Sequence, residues 1–263
     1  MEPFVETPVN VIVMVNSHPS ESQLRREIRK SWGDPKYYDR TYTRLIFLVG
    51  RPVSQNELEQ VVEEHRDFND ILVADIKEDY YLLSIKTYAM LYYKMTKLPQ
   101  TRCLVKADSD NVLNLHNYEK LCEETIAPRI VGSCDVDTTV LRTKSKWAIP
   151  VDIYPLPQWP TYCSSGTYVF CGEDVPERIL QSSEDTQFFS STNFRRLPED
   201  VLFTGIFAEK AGISRKHVGT MTFRDKPAFS CRTRQYTYSI HMHRRKNPIS
   251  YHLRMLSQEG ILC

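Results

Sequence analysis

The sequence predicts an α/β fold, with a mostly parallel central sheet flanked by helices and a smaller mixed part after it. Three observations predict it. Strand and helix signals alternate from residue 9 to residue 107 in the order β-α-β-α-β-α-β. After about residue 130 the alternation gives way to short strand-like runs. The 263 residues contain no internal repeat, low-complexity tract or long Gly/Ser linker, so both parts belong to one continuous domain.

The elements follow in order. "VNVIVMVN" (9–16) is a strand. "SESQLRREIRKSWG" (20–33) is a helix with Ser20 as N-cap, Leu24, Ile28 and then Ser31 or Trp32 at helical spacing, and Gly33 as the stop. "RLIFLVG" (44–50) is a second strand. "SQNELEQVVEEHRDF" (54–68) is a helix capped by Ser54, and "DILVAD" (70–75) is a third strand. "YLLSIKTYAMLYYKMTKL" (81–98) is a long helix with a broad apolar face, stopped by Pro99. "RCLVKA" (102–107) is the fourth strand. Beyond residue 130, "IVGSCDV" (130–136), "SKWAIPVDIYP" (145–155) and "PTYCSSGTYVFCGED" (160–174) read as strands. "EDVLFTGIFAEKAGI" (199–213) opens with two acids and ends near Gly212, as a helix does, and "QYTYSIHMH" (235–243) is a late strand.

Charged residues make up 25% of the chain and the formal net charge is +1, which favours neither nucleic acid nor an acidic membrane surface as partner. The one basic run, "HMHRRKNP", reads as a solvated turn. No apolar stretch approaches the roughly 20 residues that span a bilayer, and "MEPFVETPVN" has no signal-peptide pattern. The chain is soluble as given, or is a catalytic segment whose anchor lies outside it. The seven cysteines include no C-x-x-C pair, which argues against zinc ribbons and dithiol redox sites. Their odd number leaves at least one free thiol beside two or three disulfides or scattered buried thiols. There is no N-x-S/T acceptor site.

The chemistry-bearing stretch is "CLVKADSDNVLN" (103–114). An apolar strand ends on Asp108 and Asp110, and ligands of open α/β sheets bind beyond the carboxyl ends of strands. Carboxylates two apart at that place suit a hard cation, Mn²⁺ or Mg²⁺, bridging a diphosphate. The plainer reading is a strand-ending turn whose acids cap the next helix. A rival enzymatic reading is a phosphatase with Asp108 as nucleophile, Asp110 as acid/base and Val112 completing D-x-D-x-V. That motif normally opens its fold, and here three strand-helix units precede it.

Other candidates are weaker alone. Arg25, Arg26 and Arg29 could hold a diphosphate, or form a solvated helix face. Asp79 could meet a nucleotide, with Lys86 nearby, or simply start the long helix. Glu199 and Asp200 could supply a general base or be helix caps. His241 and His243 share a strand face and could complete a carboxylate site.

Together these segments resemble glycosyltransferase family 31, the inverting β1,3-glycosyltransferases, and most closely its β1,3-galactosyltransferase branch. The resemblance rests on "RREIRKSWG", "FLVGR", "DILVADIKEDYYLLSIKT", "LVKADSDNVLN", "SKWAIPVDIYPLPQWPTYCSSGTYVF" and "LPEDVLFTGI", in family order and over nearly the whole chain, followed by a late strand ending in His. It implies a GT-A fold and a UDP-sugar donor, with UDP-galactose favoured over N-acetylglucosamine and N-acetylgalactosamine donors. The implied acceptor is a glycan on a glycoprotein or glycolipid, the cofactor Mn²⁺ with Mg²⁺ possible, and the location the Golgi lumen. Residues 8–115 would form the nucleotide-sugar half and 116–263 the acceptor and catalytic half.

Carried over residue by residue, Asp108 and Asp110 are the Asp-x-Asp motif, with Asp110 the more direct ligand. His241 is the late metal-associated histidine, with His243 as alternative. Asp200 is the base, and Arg29, Asp79, Lys106 and Ser109 lie on the donor side. Trp159, Tyr162, Gly166 and Glu199 lie on the acceptor side. The family's Ser-Gly-Thr-Gly-Tyr is Ser-Ser-Gly-Thr-Tyr here, so Thr167 is expected to crowd the acceptor loop. That departure keeps open a second function, a UDP- or glycan-binding descendant without activity.

Overall fold

The computed structural model describes residues 1–5, 8–134, 137–143, 145–221, 223–224, 237–242 and 247–259. The strands are β1 (Val11–Asn16), β2 (Thr43–Val49), β3 (Ile71–Val73), β4 (Cys103–Asp108), β5 (Asn111–Leu113), β6 (Arg129–Ser133), β7 (Ser164–Cys171), β8 (Ser214–His217), β9 (Phe223–Arg224) and β10 (Ser239–His241). The helices are α1 (Ser22–Arg29), α2 (Gln55–Phe68), α3 (Leu83–Lys97), α4 (Leu115–Glu124), α5 (Val175–Glu184), α6 (Thr192–Arg195), α7 (Phe207–Lys210) and α8 (Pro248–Glu259).

Seven strands form the main sheet in the order β3-β2-β1-β4-β7-β6-β8. The β2–β3, β1–β2, β1–β4 and β6–β8 pairs are parallel, while β7 runs antiparallel between β4 and β6. Alternate side chains of β1 serve opposite faces. Val11, Val13 and Val15 pack with Leu24, Ile28 and Trp32 of the α1 region, while Ile12 and Met14 pack with Met90 and Leu91 of α3. Both faces are covered, so the strand reads as one unbroken apolar run. The chain leaves β1 to one side to build β2 and β3, then returns on the other side for β4. That reversal opens a crevice at the carboxyl ends of β1 and β4, where Asn16 stands beside Asp108.

The α2 cap is as the sequence predicts, with Ser54 Oγ accepting from Glu57 N at 3.2 Å. Helix α1 begins one residue later than expected, with Glu21 rather than Ser20 at its N-cap. The expected strand over 145–155 is instead a run of turns. Pro150 and Pro155 contribute no ladder donor, and the Arg142 guanidinium donates to the carbonyls of Ile149, Tyr154 and Leu156 at 2.6–3.0 Å. Helices α4 and α5 were not marked in the sequence. Two disulfides join Cys103 to Cys122 and Cys134 to Cys163, and Cys171 is a buried free thiol pushed up to about 12 by burial. Among the described residues no helix is long and apolar enough to cross a membrane.

Candidate active site

The two aspartates do not cap a helix. Ser109 and Asp110 form a turn that leads directly into β5, and β5 pairs antiparallel with β10 in a small three-stranded sheet, β5-β10-β9. That pairing sets His241 opposite Asn111 and brings His241 Nε2 to 3.3 Å from Asp110 Oδ2. Met242 N donates to Asp110 O at 2.7 Å, which fixes the turn. The small sheet therefore delivers a distant downstream histidine to the second acid of the pair. His243 lies outside the described residues.

The surroundings suit a hard cation. Asn111 is fully buried, and its Nδ2 donates to Asp110 Oδ1 at 3.2 Å, which leaves its Oδ1 buried with no hydrogen bond among the described residues. Among the described residues no three His, Cys, Asp or Glu side chains converge as a ready-made cage. Asp110, His241 and the outer oxygen of Asp108 are the groups that could hold such an ion. Gly166 closes this floor with φ +78°, and a Cβ there would fall 2.7 Å from Asp108 Oδ2 and 2.8 Å from Asn111 Nδ2.

Behind the aspartates stands Lys106, buried in β4. Its ammonium lies 2.8 Å from Asp108 Oδ1 and 2.6 Å from Glu199 Oε1. Burial would depress its pKa, but Asp108 and Glu199 outweigh burial and hold it above the ordinary lysine value. Tyr168 OH donates to Glu199 Oε2, and Thr87 Oγ1 lies 3.5 Å from the same oxygen. Glu199 is thus held on three sides, and its partner Tyr168 was not marked in the sequence. Asp200, the next residue, stands at the start of a π-helical turn, Val201–Ile206, with Oδ1 accepting from Val201 N at 2.9 Å. Burial, and then the negative charge of Glu199, push its carboxyl up to about 7.

Two clefts meet at Asp108. The smaller, about 520 Å³, lies outside β1 and β4 and is lined by Ser17, His18, Glu21, Glu78, Asp79, Lys86 and the Asp108–Asp110 turn. Its base is tied down: Lys86 Nζ donates to Ser17 O at 2.7 Å and to Glu78 Oε1 at 2.9 Å, and Gly50 N donates to the same Glu78 oxygen at 2.6 Å. Burial lowers the Lys86 pKa although Glu78 pulls the other way. Ser109 Oγ donates to Glu21 Oε2 at 3.1 Å, so Ser109 joins the turn to the start of α1. The larger cleft, about 630 Å³, runs between α3, the 145–153 turns and Glu199–Asp200. Tyr80, Leu83 and Asp108 line both.

Of the carried-over residues, Asp79, Lys106, Asp108, Ser109, Asp110, Gly166, Glu199, Asp200 and His241 gather around this junction. Asp79 also caps a 3₁₀ turn by accepting from Tyr81 N at 2.8 Å. Tyr162 lies behind Gly205 of the π-helical turn, and burial together with Asp200 raises its hydroxyl to about 12. Three residues depart from expectation. Arg29 lines neither cleft: its guanidinium is taken up by Glu64 at 2.7 Å and by both Asp70 oxygens at 2.8 Å. Trp159 is 8% exposed and packed on Tyr154, with ring centroids 4.2 Å apart. Thr167 does not crowd the loop either. It sits in the β7 ladder opposite Ala107, and the left-handed backbone falls on Ser165 (φ 81°) and Gly166.

With this geometry in place, the comparisons with known proteins are consistent. The chain is 31% identical to human beta-1,3-galactosyltransferase 2 over 210 residues, which is 77% of this chain and 48% of that protein. It is 28% identical to mouse beta-1,3-galactosyltransferase 1 over 207 residues, 77% of this chain and 61% of that one. The chain thus spans about half to three-fifths of the length of these relatives. Among solved structures, the bifunctional glycosyltransferase WbbM superposes with a TM-score of 0.52 at 11% identity, covering 99% of this chain and 51% of that one, and the fold is of the GT-A type. A family model described as Galactosyltransferase matches residues 23–219, from α1 through the aspartate turn and Asp200 to beyond β8, and the chain belongs to the galactosyltransferase family.

Proposed function

We propose that this protein is an inverting, metal-dependent β1,3-galactosyltransferase that moves galactose from UDP-galactose to a glycan hydroxyl on a glycoprotein or glycolipid. The carrying observation is the junction itself: a polar cleft at the sheet's switch point meets a larger cleft at Asp108, with a carboxyl pushed up to about 7 on the far wall. In this reading residues 8–115 bind the nucleotide-sugar, and the remainder binds the acceptor and carries the base.

UDP lies in the smaller cleft, against the aspartate turn and the loop Ser17–Glu21. Asp110, Asp108 and His241 would hold Mn²⁺, or Mg²⁺ in its place, and the ion would supply positive charge against the charge that develops on the departing diphosphate. The acceptor hydroxyl enters from the larger cleft. Asp200 accepts its proton as the oxygen attacks the anomeric carbon from the face opposite UDP, so one displacement inverts the centre. Lys106 keeps Asp108 and Glu199 apart in charge and fixed in place. The two disulfides fit an oxidising compartment, and the Golgi lumen is proposed as the site of action.

UDP release from UDP-galactose, with Mn²⁺ and a glycan panel, tests this directly. The parent chain is expected to turn over and Asp110→Ala to be nearly inactive. Equal rates in the two would exclude the aspartate turn as the donor site.

A further inference from the structure

The mouth of the larger cleft differs from its floor. The floor is acidic: Asp108, Glu199 and Asp200 surround the single ammonium of Lys106. The mouth carries two exposed cations, each resting on aromatic rings, and the rings of Tyr80 and Tyr81 beneath them lie 5.6 Å apart. Lys146 Nζ lies 4.5 Å from the Trp147 ring centroid and 5.0 Å from that of Tyr80, and Trp147 Nε1 donates to Tyr80 OH at 3.2 Å. The Arg196 guanidinium lies 4.6 Å from the Tyr81 ring centroid. Among the described residues neither cation is in an ion pair, and the one carboxylate lining the mouth with them is Asp152. The rings are half open to solvent, Trp147 by 50%, Tyr80 by 53% and Tyr81 by 42%.

We infer that this mouth recognises an acceptor saccharide bearing an anionic group, a carboxylate or a sulfate, some distance from the hydroxyl that reacts. The inference rests on the glycosyltransferase reading of the same cleft. Its chemistry has two parts. A sugar ring presents an apolar C–H face that lies flat against an aromatic ring, and Trp147 with Tyr80 and Tyr81 offers that surface. Lys146 and Arg196 rest on rings and make no ion pair among the described residues, so their N–H donors are open to an oxyanion. A molecule that is neutral at its reacting end and negative at the other is aligned by the opposed charges of floor and mouth, whereas the reverse orientation drives its anion into Glu199 and Asp200.

A glycan array probed with the intact chain in the presence of UDP tests this. It would carry one oligosaccharide core in neutral, sulfated, sialylated and uronic-acid forms. The acid-bearing members are expected to bind about tenfold more tightly than the neutral core at low salt, and the preference is expected to shrink as salt is raised. The sulfated and carboxylated arms identify which anion is read. In the double variant Lys146→Glu/Arg196→Glu the preference is expected to vanish while the neutral core binds as before. Trp147→Ala is expected to weaken neutral and acidic members alike by several-fold. Equal binding of neutral and acidic members, a preference that survives the double variant, or no glycan binding at all would overturn the inference. Retained anionic preference without UDP-galactose turnover would overturn the transferase reading and leave the inference standing. Turnover with equal binding of neutral and acidic members would do the opposite.

Discussion

Two buried charge clusters divide the molecule, and they are built differently. Where α1 meets α2, Arg25 and Arg29 face Glu64 and Asp70, two cations against two acids. The Arg25 guanidinium also donates to Ser17 Oγ and to the carbonyls of His18 and Pro19. The charges balance, and burial of Glu64 is outweighed by its two arginines, which lower its pKa. At the cleft junction one ammonium, Lys106, faces Asp108, Glu199 and the neighbouring Asp200, and Asn111 Oδ1 is buried with no hydrogen bond among the described residues. The first cluster is saturated and holds structure. The second is short of positive charge, which fits the cation site and proton acceptor proposed for it.

The contrast can be broken in several places. The largest effect is expected at Asp200→Asn, where kcat should fall about 10²- to 10⁴-fold while UDP binding, read by calorimetry, is retained. The same residue has a stability signature of fixed sign. Its folded pKa lies above the unfolded value of 3.8, so its contribution is full below about pH 4 and is lost as pH rises through about 7. Asp200→Asn is therefore expected to gain stability relative to the parent between pH 5 and pH 8 in urea titrations, and a gain that runs the other way would refute the assignment.

Arg25→Met opens the balanced cluster and should cost about 3–5 kcal/mol, seen as a lower urea midpoint. UDP affinity should also weaken, because Arg25 holds the loop that lines the smaller cleft. Glu199→Gln removes a negative neighbour from Asp200, so the acid limb of kcat/KM is expected to move down by about one pH unit. An unmoved limb would mean that Glu199 does not tune the base. The smallest effect is expected at Ser165→Gly, which relieves a left-handed serine beside Gly166 and should stabilise by about 1 kcal/mol.

Much of the fold was legible because strand and helix periods alternate cleanly through β4. The late half was harder to read. The 145–155 stretch has strand-like composition, but its prolines and the Arg142 side chain settle its backbone polar groups outside any ladder. The acids were legible as a motif, whereas the task of Arg29 was not. "RREIR" has the same letters whether its guanidinium meets a diphosphate or Asp70, and only the register of β2 on β3 brings Asp70 within reach. Lys106 was recognised by position, yet its place between Asp108 and Glu199 depends on a contact across 93 residues. Tyr168 and Glu78 carried no local signal.

The Cys134–Cys163 bridge has a consequence for how such a chain can change over generations. The loop it closes, over a sequence separation of 29, carries Trp147, Pro150 and Ile153 of the larger cleft, and Thr204 Oγ1 pins its far end by accepting from Cys163 N at 2.8 Å. A wall clamped at both ends and outside the sheet works as an exchangeable cassette. Its sequence can drift while the ladder, the aspartate turn and Asp200 stay where they are.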